Sequence, residues 1–477
     1  MFWVLLLNII VKPFWILGIE VGVQNAVGAE MYGLYFSIFN ISYIFNILLD
    51  LGITNFNTRN TARHPVLINK YLPNILTTKI LLLGLYAIVT FTAGTCLGYN
   101  SQQFKLLAWL CVNQALNSLI LYLRSNFEGL MLFRWDSILS VMDRLIMIAI
   151  CGMLLAIPST HAAFSIEWFV YAQTAAYVVT VVAAFAALLR HAELKKLKWN
   201  RLFSLAILRK SLPFALLTLL MATYNRIDPV LLQILSPDGN GNLNAGIYAG
   251  AFRLLDALTM IAYLVSIPLL PVYSRLTRQH ELGSDNTDIR STTAMVFAMM
   301  MVFAVTAACA LSSQAESIMQ LFYRDSANDY AGVFQILIFS IIPISITYVF
   351  GTLLTAGGLL KQLNKYALAT LIINVMVNII LIPRIGVRGS AWASITAQSV
   401  MAAAQLMASI KKYQLKPSKS YVMRLFSFVF VEVAVCRATT SLQPVVALAV
   451  ITVVSVASSI LLGLINIKSI AQLLAKR

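Results

Sequence analysis

Apolar runs of about 17–26 residues recur along almost the whole of this 477-residue chain, each long enough to cross a bilayer core as a helix. No other feature narrows the possible folds as far. Fourteen such runs are read, at approximately 1–19, 32–53, 72–97, 106–123, 137–157, 168–189, 211–236, 245–271, 293–312, 332–356, 363–383, 389–410, 421–437 and 443–465. A porin-type barrel would alternate polar and apolar residues over strands of about ten residues, so it is excluded. A soluble domain is excluded by charge: 11% of residues here are charged, against roughly 25% in soluble proteins. The sequence predicts an all-α polytopic membrane protein of about 14 transmembrane helices.

The 35 Lys and Arg residues divide between even-numbered loops with the tail and odd-numbered loops at roughly five to one, a strong positive-inside bias. The even side carries Arg59, Arg63, the Lys195-Lys196-Leu197-Lys198 run, Lys411-Lys412 and Lys476-Arg477. Both termini are therefore expected in the cytoplasm. The formal net charge of +17 reads as topology. Nucleic acid is not an expected partner, because no soluble domain gathers the basic residues on one face. Five Cys are scattered without a Cys-x-x-Cys, and the four His fall in loops without metal-ligand spacing, so neither a disulfide framework, a metal site nor a cofactor is expected. The N-terminal run lacks a basic n-region and a cleavage site, and Lys12-Pro13 interrupts it, which suits a first span better than a signal peptide. Its abrupt Met1-Phe2-Trp3 start leads us to expect that a short basic tail is missing.

One long basic connection, 191–210, interleaves Lys195, Lys196, Lys198 and Arg201 with Trp199, Leu202, Phe203 and Leu205, as in a helix lying on the cytoplasmic leaflet. It divides an N-lobe of spans 1–6 (1–190) from a C-lobe of spans 7–12 (211–410), with two further helices and a tail in 411–477. A faint repeat supports that division. Gly28-Ala29-Glu30-Met31-Tyr32-Gly33-Leu34-Tyr35 opens span 2, and Asn242-Leu243-Asn244-Ala245-Gly246-Ile247-Tyr248 opens span 8, about 213 residues later. Glu128-Gly129-Leu130-Met131-Leu132 and Gly357-Gly358-Leu359-Leu360-Lys361 echo each other at the cytoplasmic ends of spans 4 and 10. Equivalent segments on one side of the membrane imply two six-helix lobes related by a pseudo-two-fold along the membrane normal.

Charges inside spans are costly and mark candidate sites. Span 7 carries Asn225-Arg226-Ile227-Asp228-Pro229 and span 8 carries Arg253-Leu254-Leu255-Asp256. At 1.5 Å per residue, Arg226 and Arg253 both lie roughly 12–16 Å below the outer boundary. Arg253 and Asp256 at i,i+3 can satisfy each other. Arg226 and Asp228 at i,i+2 point apart and need other partners or a wet cavity. Pro229 should break span 7 at that level. Two readings stand: a clasp of these four side chains between spans, or a cavity lined by the arginines. Shifted by the repeat, Arg226 falls beside Lys12-Pro13 in span 1. Glu20 lies near the outer end of span 1, Lys79 in span 3, Asp143-Arg144 in span 5 and Glu432 in span 13. Lys79 and Arg144 are placed to snorkel to the cytoplasmic surface. Asp50, closing span 2, is expected to cap or to pair there, with Arg59 as one partner. Asn113, Gln114 and Asn117 in span 4 either line a lumen or join helices. Lys12, Lys79, Arg144, Arg226 and Arg253 give the interior a cationic excess suited to an anion, and arginine's donor fork suits phosphate.

The Val27–Tyr35 start and the Leu48-Leu49-Asp50-Leu51-Gly52-Ile53 end of span 2 resemble those of oligosaccharide flippases. So do Tyr224–Asp228, Ala245-Gly246-Ile247-Tyr248 and Ile382-Pro383-Arg384-Ile385-Gly386-Val387-Arg388-Gly389-Ser390-Ala391. These are the Wzx-type members of the polysaccharide transporter family, in the multidrug/oligosaccharidyl-lipid/polysaccharide (MOP) exporter superfamily. The resemblance implies a non-enzymatic, alternating-access transporter in the bacterial inner membrane. Its substrate would be an undecaprenyl-diphosphate-linked oligosaccharide, moved for O-antigen, capsule or exopolysaccharide synthesis. It further implies ion antiport with H⁺ or Na⁺, and a polysaccharide polymerase and chain-length machinery as partners. On this reading Arg226, Arg253, Lys12, Lys79, Arg144, Asn113 and Asn117 line the pyrophosphate and sugar cavity. Asp228, Asp256 and Glu20 would hold the arginines or the coupling ion. The competing readings are a multidrug exporter of the same superfamily, a membrane polymerase or ligase, and a non-transporting scaffold.

Overall fold

The computed structural model describes residues 11–465 other than 12, 55–56, 59–60, 62–67, 192–200, 267, 283–285, 324–326, 416–417 and 441, and the backbone alone at 70, 201–211, 213–214 and 238. Lys12, Arg59, Arg63 and the Lys195–Lys198 run lie outside the described residues. Those described are almost wholly helical, with no strand among them. This is an all-α multi-pass membrane fold.

A π-helical turn, α1 (Trp15–Glu20), runs into α2 (Val21–Ile44), and α2 breaks at Gly28, whose φ of +81° is open to glycine at no steric cost. There the chain turns between the first and second expected spans. Next come α3 (Ile68–Cys96), α4 (Ser101–Gly129), α5 (Phe133–Ala156) and α6 (Ile166–Leu188). Asn100 starts α4 with a capping box, its side chain accepting from Gln103 N–H while the Gln103 side chain accepts from Asn100 N–H. α7 (Arg201–Arg226) carries the second half of the basic connector straight into span 7. It stops at a bend at Ile227, and α8 (Asp228–Leu235) resumes with Pro229 in its first turn, the break that proline imposes.

α9 (Gly241–Ser266) and the amphipathic α10 (Leu269–Glu281) follow. The remaining helices are α11 (Thr287–Ser313), α12 (Ala315–Phe322), α13 (Ala327–Leu337), α14 (Ile341–Ala356), α15 (Leu360–Ile385), α16 (Val387–Tyr413), α17 (Lys419–Ala438) and α18 (Pro444–Leu461). Among the described residues, ten stretches are long and apolar enough to cross a membrane. The four fewer than expected each have a physical cause. Spans 1 and 2 count as one continuous stretch, and span 7 is broken at Ile227. Span 13 (α17) carries Lys419, Arg424, Glu432 and Arg437, and α16 is rich in Ala, Ser and Gln.

The chain forms two compact units, Met1–Ala249 and Gly250–Arg477. Neighbours repeat inside each. In the first, α4 packs on α3, α5 and α6, and α5 on α6; in the second, α14 packs on α11, α15 and α16, and α15 on α16. The C-terminal ends of α4 and α14 repeat bond for bond. Leu130, Met131 and Leu132 N–H donate to Asn126, Glu128 and Phe127 C=O, while Gly357, Gly358 and Leu359 donate to Leu353, Thr355 and Leu354. Both are Schellman turns, with Met131 and Gly358 at positive φ. The true register pairs Glu128–Leu132 with Thr355–Leu359, two residues off the match visible in the sequence.

The first echo is a contact. A Cβ on Gly33 would lie 1.8 Å from Asn242 O, and one on Gly246 would lie 1.9 Å from Ala29 O. Each residue of the pair Gly33/Ala29 has its counterpart 213 positions on, and the two approaches are reciprocal. Within the first unit, the start of α9 therefore crosses α2 about a local two-fold, backbone against backbone, where only glycine fits. Gln24 Nε2 donates to Gly246 O across the same crossing (2.9 Å).

Candidate functional site: a polar constellation inside the apolar bundle

The first unit holds a cluster built by α1, α2, α4, α5 and α6. In a π-helix residues i and i+5 stack on one face. Trp15 Nε1 accordingly donates to Glu20 Oε1 at 2.8 Å. The Arg144 guanidinium lies over the Trp15 indole, 5.5 Å from its centroid. It sits 3.7 Å from Asp143 Oδ2 and within electrostatic reach of Glu20, Tyr35 and Tyr177. Behind the indole, Phe169 stacks at 5.9 Å and Tyr35 meets Phe169 edge-on at 5.4 Å. Asn113 extends the network: its Nδ2 donates to Gln173 Oε1 (3.1 Å), and its Oδ1 accepts from the Thr174 hydroxyl (2.7 Å). Asn117, one turn along α4, is half-buried.

Lys79 is held elsewhere in the same unit. Its ammonium pairs with Asp50 Oδ1 (3.0 Å) and donates to Leu49 O (3.1 Å) and Ser118 Oγ (2.9 Å). It is buried in this cage, where snorkelling had been the expectation. Asp50 also accepts from Thr54 N–H and the Thr54 hydroxyl, so it caps the turn after span 2 as well as pairing. Lys79 is buried and Asp50 half-buried, so the pair lies at the edge of the apolar interior.

The break in span 7 organises the next group. Arg226, ending α7, lies over the Tyr43 ring at 5.2 Å. Asp228, opening α8, is fully buried and accepts from the Tyr248 hydroxyl (2.8 Å). The Ser37 hydroxyl donates to Pro229 O (2.9 Å), tying α2 to the break. In the second unit, buried Arg253 donates from Nη1 to the Tyr323 hydroxyl (2.8 Å). Tyr323 stacks on Tyr330 at 4.2 Å, in a space that a Cβ on Gly250 would close, being 2.5 Å from the Tyr330 ring. Asp256, one turn beyond Arg253, lies near Tyr348.

Thus the structure brings Glu20, Arg144 and Asn113 into one network, holds Lys79 in another, and places Arg226 and Arg253 on tyrosines. Sequence reasoning overlooked those aromatic partners, Trp15, Tyr43, Tyr177 and Tyr323, because a Trp or Tyr within an apolar run reads as lipid-facing. The five-residue spacing of Trp15 and Glu20 was the available signal, and it needs a π-turn to mean anything. Among the described residues no three His, Cys, Asp or Glu side chains come together to hold a metal.

The profile of the polysaccharide biosynthesis protein family matches residues 1–277. The chain belongs to that family. No curated protein matches it. Solved structures of similar fold include a lipid II flippase, MurJ, in an inward closed conformation, with TM-score 0.69, 13% identity, and 96% of this chain and 98% of that chain covered. An inward-facing multidrug resistance MATE family transporter of the MOP superfamily gives TM-score 0.66 at 13% identity, covering 84% of this chain and 94% of that one. A MOP superfamily transporter from Pyrococcus furiosus gives 0.57 at 15%, covering 86% and 94%. The family assignment agrees with the resemblance of the span 2 and span 7 motifs, and at these identities the neighbours establish the MOP-type fold.

Proposed function

We propose that this protein is a flippase for undecaprenyl-diphosphate-linked oligosaccharide repeat units in the bacterial inner membrane, working by alternating access with both termini cytoplasmic. The observation that carries the reading, in a member of the polysaccharide biosynthesis family, is the pairing of intramembrane arginines with aromatic rings. Arg144 lies over Trp15 and Arg226 over Tyr43. A ring that takes the face of a guanidinium leaves its in-plane fork as the natural partner of phosphate oxygens. Aromatic faces such as Trp15, Phe169 and Tyr35 suit the apolar faces of sugar rings, and Asn113 and Gln173 supply the amide donors and acceptors that sugar hydroxyls require. The fold shared with a lipid II flippase is in keeping with a lipid-linked sugar as cargo. Lys12, Arg253 and Asn117 complete the proposed pyrophosphate and sugar path. Asp228 and Asp256 are proposed to position the arginines, and Lys79 to brace the helices that carry the path.

A second reading, export of a cationic drug through the same fold, is favoured by Glu20 and Asp143, two carboxylates beside Arg144. The two readings separate in cells. Removing the protein should make an undecaprenyl-diphosphate oligosaccharide accumulate on the cytoplasmic leaflet and should abolish surface polysaccharide. Unchanged polysaccharide with raised drug sensitivity would instead establish the exporter.

A further inference from the structure

The buried carboxylates described in the first unit have partners: Asp136 has Arg124, Asp143 has Arg144 and Asp228 has Tyr248, as half-buried Asp50 has Lys79. Glu432 on α17 does not. It is 1% exposed, and neither carboxylate oxygen has a hydrogen-bond partner among the described residues.

Its surroundings are set by three helices that pack together, α11, α17 and α18. From α18 the Ser455 hydroxyl lies beside the carboxyl and shares a hydrogen bond with the Thr306 hydroxyl of α11, in which either oxygen can donate. The titratable groups facing Glu432 are Cys309 from α11 and Cys436 from α17 itself, both free thiols in contact with one another. α18 has no ionisable residue in its length. The cations of α17, Lys419, Arg424 and Arg437, are exposed. An ionised carboxylate in such a place has no counter-charge among the described residues and at most the Ser455 hydroxyl as donor, and that costs far more than the packing of one side chain returns. A carboxylic acid carries no charge and satisfies the site.

Resting on the flippase reading, we propose that Glu432 is a proton-binding site: α17 carries it as the neutral acid while α11, α17 and α18 are packed as seen here, and the proton leaves when that packing opens to water. The step is a simple acid dissociation, the proton passing from the carboxyl oxygen to water and the carboxylate becoming hydrated. Proton release is then coupled to the movement of the C-terminal helices, which supplies the ion coupling from a place distant in sequence from the arginines.

The test uses the full-length protein and its Glu432→Gln variant, which keeps the shape of the acid and cannot dissociate. In detergent, infrared spectroscopy of the wild type at neutral pH should show a carboxylic-acid carbonyl band that E432Q lacks. In proteoliposomes, flipping of a fluorescent undecaprenyl-diphosphate oligosaccharide should accelerate about tenfold under an imposed pH gradient. E432Q should flip at the ungradiented rate with no response. A carbonyl band unchanged in E432Q would overturn the proton site, and so would a pH-gradient response retained in E432Q. Wild-type flipping that follows a Na⁺ gradient and ignores pH would overturn the proton while leaving the flippase reading intact. If the wild type moves no lipid-linked sugar, that reading fails, and the infrared band alone then decides for or against the proton site.

Discussion

At residue scale, the interior cations Lys79, Arg144, Arg226 and Arg253 each meet a carboxylate or an aromatic side chain. Lys79 is caged by Asp50, Leu49 O and Ser118, so removing the lysine leaves the half-buried Asp50 carboxylate without its counter-charge. Lys79→Met should therefore destabilise the protein by about 3–5 kcal/mol in thermal or denaturant unfolding in detergent, and adding Asp50→Asn should recover most of that loss. A double variant as unstable as the single would show that the cage is held by packing alone. Arg144→Lys keeps the charge and loses the planar contact with Trp15. Surface polysaccharide should fall at least tenfold while protein level is unchanged; full activity would remove Arg144 from the substrate path. The Lys79–Asp50 pair was not legible in the sequence, because its members lie 29 residues apart on different elements and spacing rules reach only across one helix. The i,i+3 rule pointed Arg253 at Asp256 and gave no sign of Tyr323, 70 residues away, whose hydroxyl accepts from Arg253.

At the scale of elements, hydropathy marked the spans well, because a bilayer demands the same length of apolar residue from every helix. It blurred where backbone geometry departs from a straight helix. The Gly28 turn, the π-turn at Trp15–Glu20 and the bend at Ile227 divide or merge apolar runs without changing their composition. Of these breaks, the Pro229 one was visible beforehand, since a missing N–H acts wherever it falls. The glycine echo showed as similarity and proved to be contact, with Gly33 and Gly246 allowing α2 and α9 to touch. Gly33→Leu should lower the melting temperature in detergent by more than 5 °C, because the side chain must displace the Asn242 carbonyl. An unchanged melting temperature would mean that the crossing opens at no cost.

For the whole molecule, a MOP-type fold, membership of a polysaccharide biosynthesis family and two arginine–aromatic pairs fit one proposed function. Arg226→Ala with Arg253→Ala should abolish surface polysaccharide at normal protein level; normal export in the double variant would remove both arginines from the mechanism. The most direct measurement is flipping by the purified protein as the sole protein in liposomes of a fluorescent undecaprenyl-diphosphate oligosaccharide, read by quencher access to the outer leaflet. The account predicts that labelled lipid equilibrates between leaflets at a rate proportional to protein copies, and that the Arg226→Ala and Arg144→Lys variants slow it at least tenfold. Labelled lipid that stays in the leaflet where it was placed, with correctly folded protein present, would contradict it.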